Sequence, residues 1–143
     1  MKYWDSSALV PLLVSQRNTR KVSALLGEDP AIITWWGSRV ECDSAIARLE
    51  RDGQLDPEAA VEAFSRLDGL AGGWQEIQLA STLRDTARRL LRSHALRAAD
   101  ALQLAAAICA SEGRPATLEL ACLDERLALA AQREGFRLVS SLL

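Results

Sequence analysis

The chain has 143 residues, 49% of them apolar and 25% charged, with 17 basic against 19 acidic side chains and a net charge of −2. That is room for one domain with a proper core, spanning residues 1–143, and it excludes a disordered chain, a collagenous one and a disulfide-stapled miniprotein. A protein that held nucleic acid mainly by neutralising phosphates would be basic overall, so the total charge leans away from a general nucleic-acid binder.

In chain order, residues 2–4 predict a short strand that reaches Asp5 and turns into an apolar helix over 8–14, where Pro11 must sit in the first turn or kink the helix. A second helix is expected over 17–28, with Val22, Leu25 and Leu26 on one face. The β-branched and aromatic run 31–35 reads as a strand. Residues 38–52 read as a helix closed by Gly53, and Asp56-Pro57 starts another over 59–70, with Asp as cap and Pro at the first position. Gly72-Gly73 breaks the chain before a strand at 76–79. An Arg-rich helix follows at 82–92. The helix expected over 98–112 is apolar nearly all round and therefore central. A strand at 118–123, a helix at 125–133 and a last strand at 137–139 complete the series. Strands separated by helices require crossover connections, which predicts an α/β fold of three layers with a mostly parallel central sheet flanked by helices.

Several chemistries are excluded by residue counts. His94 is the only histidine, so neither paired imidazoles nor a His-rich zinc site is available. Cys42, Cys109 and Cys122 are odd in number and widely spaced, with no C-x-x-C, which indicates no zinc site and no disulfide framework and suits a reducing cytoplasm. Nothing at the start of the chain resembles a signal peptide, and the longest apolar run, 104–110, is far short of the roughly 18 residues of a membrane span. Neither G-x-x-x-x-G-K-[ST] nor G-x-G-x-x-G occurs. A phosphoryl-accepting receiver domain would need a lysine near the late strands, yet both lysines, Lys2 and Lys21, lie early. Any chemistry falls to carboxylates.

In an open parallel sheet, ligands bind beyond the carboxyl ends of the strands. Asp5 follows the first strand, Asp124 follows the strand at 118–123, Asp100 opens the central helix and Glu41 lies in the first turn after the second strand. Each residue has a plainer reading. Asp5, Asp100 and Asp124 are good helix caps, and both Asp100–Gln103 and Ser38–Glu41 fit a capping box. Capping does not require the four to converge, whereas this topology favours it. Converging carboxylates repel and raise one another's pKa, a condition relieved by a hard divalent cation such as Mg²⁺ or Mn²⁺.

The segments Tyr3-Trp4-Asp5-Ser6-Ser7-Ala8-Leu9, Val40-Glu41, Leu96-Arg97-Ala98-Ala99-Asp100-Ala101-Leu102-Gln103 and Cys122-Leu123-Asp124-Glu125-Arg126-Leu127 together resemble the PIN-domain ribonucleases of the VapC toxin type. Order, spacing and length match over essentially the whole chain. The resemblance implies a PIN-like fold, endonucleolytic RNA cleavage, and a metal pocket of Asp5, Glu41, Asp100 and Asp124 that holds Mg²⁺ or Mn²⁺, with Ser7 in support. It also implies a homodimer and a small antitoxin that inserts a helix into a groove formed by the helices at 17–28 and 38–70. One departure is visible: Cys122 stands where the family often has Thr or Ser, which puts a supporting hydrogen bond in question. Asp43 is an extra acid, expected to point away from Glu41 into solvent.

Fifteen of the basic residues are arginines. Arg84, Arg88, Arg89, Arg92 and Arg97 face only Asp85 between positions 81 and 97, and the spacing of Arg84, Arg88 and Arg92 puts them on one helix face. Arg97, Arg88 and Arg92 are the RNA-binding candidates, against the plainer reading of a solvated helix face. His94 is expected to be structural. Trp35, Trp36 and Trp74 are expected in core or interface packing ahead of base stacking. The non-enzymatic alternative is a PIN-fold binding or scaffold module.

Overall fold

The computed structural model describes all of residues 1–143. Five strands form one all-parallel sheet: β1 (Lys2–Trp4), β2 (Ile32–Trp35), β3 (Gln75–Ile77), β4 (Glu119–Ala121) and β5 (Arg137–Leu138), in the order β3-β2-β1-β4-β5. Seven helices cover it: α1 (Ser6–Leu13), α2 (Thr19–Glu28), α3 (Ser38–Arg51), α4 (Pro57–Ala71), α5 (Ser81–Ser93), α6 (Ala98–Ala110) and α7 (Glu125–Arg133). None is long and apolar enough to cross a membrane.

Strand alternation builds the three layers. Tyr3, Ile33, Trp35 and Leu120 enter a core with Leu83 and Leu90 of α5, Leu104 of α6 and Leu127 of α7. Their neighbours Trp4, Ile32 and Ala121 face the other way, onto Leu9 and Leu13 of α1, Val22 of α2, Ile46 of α3 and Leu67 of α4. Period-two alternation sends successive side chains to opposite faces, so strands covered on both sides must be apolar throughout. Central β1 shows this best: Tyr3 and Trp4 are fully buried on opposite faces.

The ends of the elements have local causes. The Asp56 carboxylate caps α4 by accepting from the Ala59 amide at 2.8 Å, with Pro57 leading the helix as expected. Gly53 closes the turn after α3 at φ +76°, a conformation that favours glycine. Pro11 lies in the interior of α1, and its carbonyl accepts from the Thr19 hydroxyl at 2.6 Å, which ties α1 to the start of α2. Two capping expectations are corrected. Arg97, rather than Asp100, precedes α6, so Asp100 sits inside its first turn. Gly37 precedes α3, and Ser38 is buried, bonded to Thr34 and Gln103 instead of to Glu41.

Two strands stop short of the expected limits. β4 ends at Ala121 instead of running to residue 123, and β3 ends at Ile77 instead of at residue 79. In each case the chain bends toward the next helix once its partner strand is used up.

Candidate active site

The topology puts the carboxyl ends of β1 and β4 side by side, with Asp5 pairing backbone to backbone with Ala121 across the junction at 3.0 Å. One cavity of about 370 Å³ opens there, and Asp5, Glu41, Asp100 and Asp124 all line it, with Ser6, Ser7 and Val10 of α1 and Ser44, Ala45 and Arg48 of α3. The four acids predicted to converge do so.

For Asp5 and Asp124 the capping and cavity roles coexist. Asp5 is 3% exposed, and its Oδ2 accepts from the Ser7 amide at 3.1 Å and the Ser7 hydroxyl at 2.5 Å. Asp124 accepts from the Leu127 amide at 2.9 Å through Oδ1. Each cap uses one carboxylate oxygen and leaves the other without a protein donor. Ser7 lies between two junctions: while donating to Asp5 it accepts from the Leu123 amide at 2.9 Å, which binds the β1–α1 and β4–α7 junctions together. Cys122 keeps the place of the usual hydroxyl with longer contacts, its thiol lying 3.6 Å from Asp5 Oδ2 and 3.4 Å from the Asp124 carbonyl.

Glu41 is held by three donors: Ser6 Oγ at 2.9 Å, Trp35 Nε1 at 3.2 Å and Gln103 Nε2 at 3.2 Å. Gln103, fully buried on α6, also donates to Ser38 at 2.9 Å and accepts from the Tyr3 hydroxyl at 2.7 Å. The expectation from sequence had Gln103 only as a capping partner. Its position as the one amide in an apolar helix was the available signal, because a buried amide needs partners.

Burial sets the electrostatics. It pushes the Asp5 carboxyl up to about 6, with the Glu41 and Asp100 charges adding to the rise and the Ser7 bonds opposing it. Glu41 is raised by burial against its three donors. Asp100 is raised by burial and then by the charge of Asp124, while the Arg97 amide and the Arg97 and Arg126 guanidiniums pull it down. Hard oxygen donors under mutual repulsion suit Mg²⁺ or Mn²⁺ in kind. As they stand, no three His, Cys, Asp or Glu side chains form a ready-made ligand group. The donor chemistry therefore fits a hard cation, and a closed ligand shell would require the side chains to draw in.

The remaining residues sort themselves. Asp43 is half-buried and outside the cavity. Arg89 and His94 both bind Glu134 at 2.8 Å, so His94 joins the α5–α6 turn to the end of α7, a structural role as expected, and Arg89 is withdrawn from the basic strip. Arg84, Arg88, Arg92 and Arg97 are exposed, Arg88 lying 4.0 Å from Asp85. Trp35 and Trp74 are packed inside, whereas Trp36 is 48% exposed and meets Trp35 edge to face at 6.3 Å. A second, mainly apolar opening of about 670 Å³ lies between α1, α2 and α4, lined by Leu12, Leu13, Leu26, Arg66 and Leu70. Of the two helical segments expected to form a groove, α2 and α4 line it and α3 does not.

This sheet order, with a four-carboxylate cavity at its carboxyl edge, defines a PIN-like domain. Two solved structures share the fold over 99% of this chain and 98% of theirs at 18% identity: FitAcB from Neisseria gonorrhoeae, with a TM-score of 0.69, and a toxin–antitoxin complex from Klebsiella pneumoniae, with a TM-score of 0.63. No family model matches the chain. Ribonuclease VapC45 and Ribonuclease VapC49, from two strains of Mycobacterium tuberculosis, are each 31% identical to it over 135 residues, 94% of this chain and 92% of theirs. The chain belongs to the VapC ribonuclease family.

Proposed function

We propose that the chain is a Mg²⁺- or Mn²⁺-dependent endoribonuclease acting as the toxin of a toxin–antitoxin pair. The observation that supports this most is the convergence of Asp5, Glu41, Asp100 and Asp124 on one cavity at the carboxyl edge of the sheet. These four would hold the cation, which when bound supplies an acidified water and charge stabilisation on a phosphodiester. The chain's own contribution is orientation and proton bookkeeping. Ser7 fixes the Asp5 carboxylate, and Ser6, Trp35 and Gln103 fix Glu41. Asp5 must lose its proton to act as a ligand, so proton and cation compete for it and cation binding strengthens as the pH rises.

RNA enters this reading as the substrate, with Arg97 beside Asp100 and Arg88 and Arg92 farther along α5 as phosphate contacts. The apolar opening between α1, α2 and α4 suits an amphipathic helix of the antitoxin. A homodimer in the reducing cytoplasm belongs to the same reading and is checked by sedimentation.

The decisive experiment is cleavage of RNA by the purified chain with Mn²⁺, compared with D5N and D100N. Both substitutions keep the side-chain shape and remove a charge, and each is expected to reduce cleavage at least a hundredfold while the chain stays folded. Undiminished cleavage by either variant would overturn the reading. The absence of a ready-made three-residue ligand group favours one alternative, a PIN-fold scaffold. A melting temperature unmoved by millimolar Mn²⁺, together with no RNA cleavage, would establish that alternative instead.

A further inference from the structure

Helix α3 lines the acidic cavity with a single stripe, Glu41, Ser44, Ala45 and Arg48, at the i, i+3, i+4, i+7 spacing of one helix face. Glu41 lies at the sheet end of the stripe, and Arg48 lies two turns further out, about 10 Å along the axis. Arg48 is the only cation among the ten residues lining the cavity.

A guanidinium in an acidic cavity is usually there to neutralise it, and Arg48 does not. No carboxylate of the chain lies within ion-pair distance of it, although Arg39, Arg66, Arg88, Arg89 and Arg114 all have acidic partners. It is absent from the main influences on Asp5, Glu41 and Asp100, whereas the charges of Arg97 and Arg126 act on Asp100. The cavity therefore has an unpaired positive group on its α3 side.

We infer that Arg48 is a substrate-binding residue that grips a phosphate of the RNA strand on the α3 side of the cavity, so that the strand crosses from Arg48 toward Arg97 and Arg126. This rests on the ribonuclease reading above and names a contact within it. The planar fork of arginine matches two phosphate oxygens at once, a geometry lysine lacks. Two helical turns separate Arg48 from Glu41, so the phosphate it holds is a neighbour of the one being cleaved. Its contribution then belongs to binding in the ground state, common to substrate and transition state, and appears in KM and not in kcat.

The test measures binding of a fluorescently labelled single-stranded RNA oligonucleotide to the uncleaving D100N chain and to D100N/R48A and D100N/R48K, by anisotropy across a range of KCl. R48A is expected to weaken binding about tenfold and to reduce the slope of log affinity against log salt by about 0.7, the loss of one phosphate contact on a single strand. R48K restores the slope but only part of the affinity. In the cleaving chain, R48A raises KM about tenfold and leaves kcat within about twofold. An unchanged affinity and slope would overturn the inference, as would a fall in kcat with KM constant. A lowered melting temperature in R48A with RNA binding intact would assign Arg48 to charge balance and overturn it equally. Arg48 is exposed, so the variants are expected to fold. Failure of the unsubstituted chain to cleave RNA would defeat the ribonuclease reading separately, while the binding comparison still decides the role of Arg48.

Discussion

Asp5 caps α1, accepts the hydroxyl of Ser7 and lines the cavity, all on one buried carboxylate. Its pKa in the folded chain, about 6, lies above the ordinary value near 3.8 because burial and the charges of Glu41 and Asp100 penalise ionisation. A group raised in this way binds its proton more tightly folded than unfolded. Its contribution to stability is fully present below about pH 4 and is lost as the pH rises through about 6. The gap is worth on the order of 3 kcal/mol at most, since the carboxylate retains two strong donors. Without metal, the melting temperature should therefore fall between pH 4 and 7, and D5N should flatten that decline, because an amide keeps the Ser7 bond without titrating. Millimolar Mn²⁺ should raise the melting temperature at pH 7.5 and hardly at all at pH 5. Thermal melts over that range, with and without the cation, check both. A decline of the same steepness in D5N would remove Asp5 as its cause. Cys122 acts in the same place by a weaker route. Burial holds its thiol neutral, so it approaches Asp5 as a long, soft donor where a hydroxyl would come closer.

At the scale of elements, the turn between β2 and α3 places Glu41, and Gly37 makes that turn possible. A Cβ added there would meet the ring of Trp35 at 2.2 Å, and the same ring donates Nε1 to Glu41 and supports Trp36. Trp35 is packed into the sheet and has nowhere to go. G37A should cost about 3 kcal/mol, read from its denaturant midpoint, and should lower RNA cleavage more than that loss of stability explains, because Glu41 loses an orienting donor. An unaltered midpoint would show that the ring relaxes freely. This turn also marks what was legible in the sequence. Element types and order were readable because the central strands β1 and β2, covered on both faces, are short and mostly apolar, and several helices are punctuated by Asp, Gly or Pro. The four acids were readable because chain order alone places residues at strand ends. Partnerships across the sheet were not. That Ser38 turns inward to Gln103, that Trp35 reaches Glu41, and that Arg48 faces the acids all depend on how α3 and α6 lie against one another. Local rules saw Ser38 and Asp100 as caps, and the cost of leaving Gln103 and Tyr3 unpaired in the interior decided otherwise for Ser38. The Glu41–Ser44–Ala45–Arg48 stripe was the one legible trace, small and polar along a face that an ordinary core helix would make apolar.

For the whole molecule, the two openings share helix α1. Ser6, Ser7 and Val10 line the acidic cavity, whereas Leu12 and Leu13, one turn on, line the apolar groove with Leu26 and Leu70. The carbonyl of Leu13 is held by Arg66 of α4 at 3.1 Å, so the far end of α1 is anchored to the groove wall while its first turn is anchored to Asp5. A helix seated in the groove would therefore lie within a short extension of the carboxylates without sharing a residue with them, and inhibition would be separable from catalysis. L70E places a charge where an apolar face must dock, at a half-buried position remote from the acids. It is expected to leave the RNA cleavage of the isolated chain within about twofold while abolishing both copurification with a coexpressed cognate antitoxin and protection from growth arrest, since an unpaired charge in an apolar interface costs several kcal/mol. Measuring cleavage, copurification and growth on the same variant separates the cases. If L70E still copurifies with the antitoxin, the partner docks elsewhere. If it loses cleavage and partner together, the two openings form one coupled site through α1.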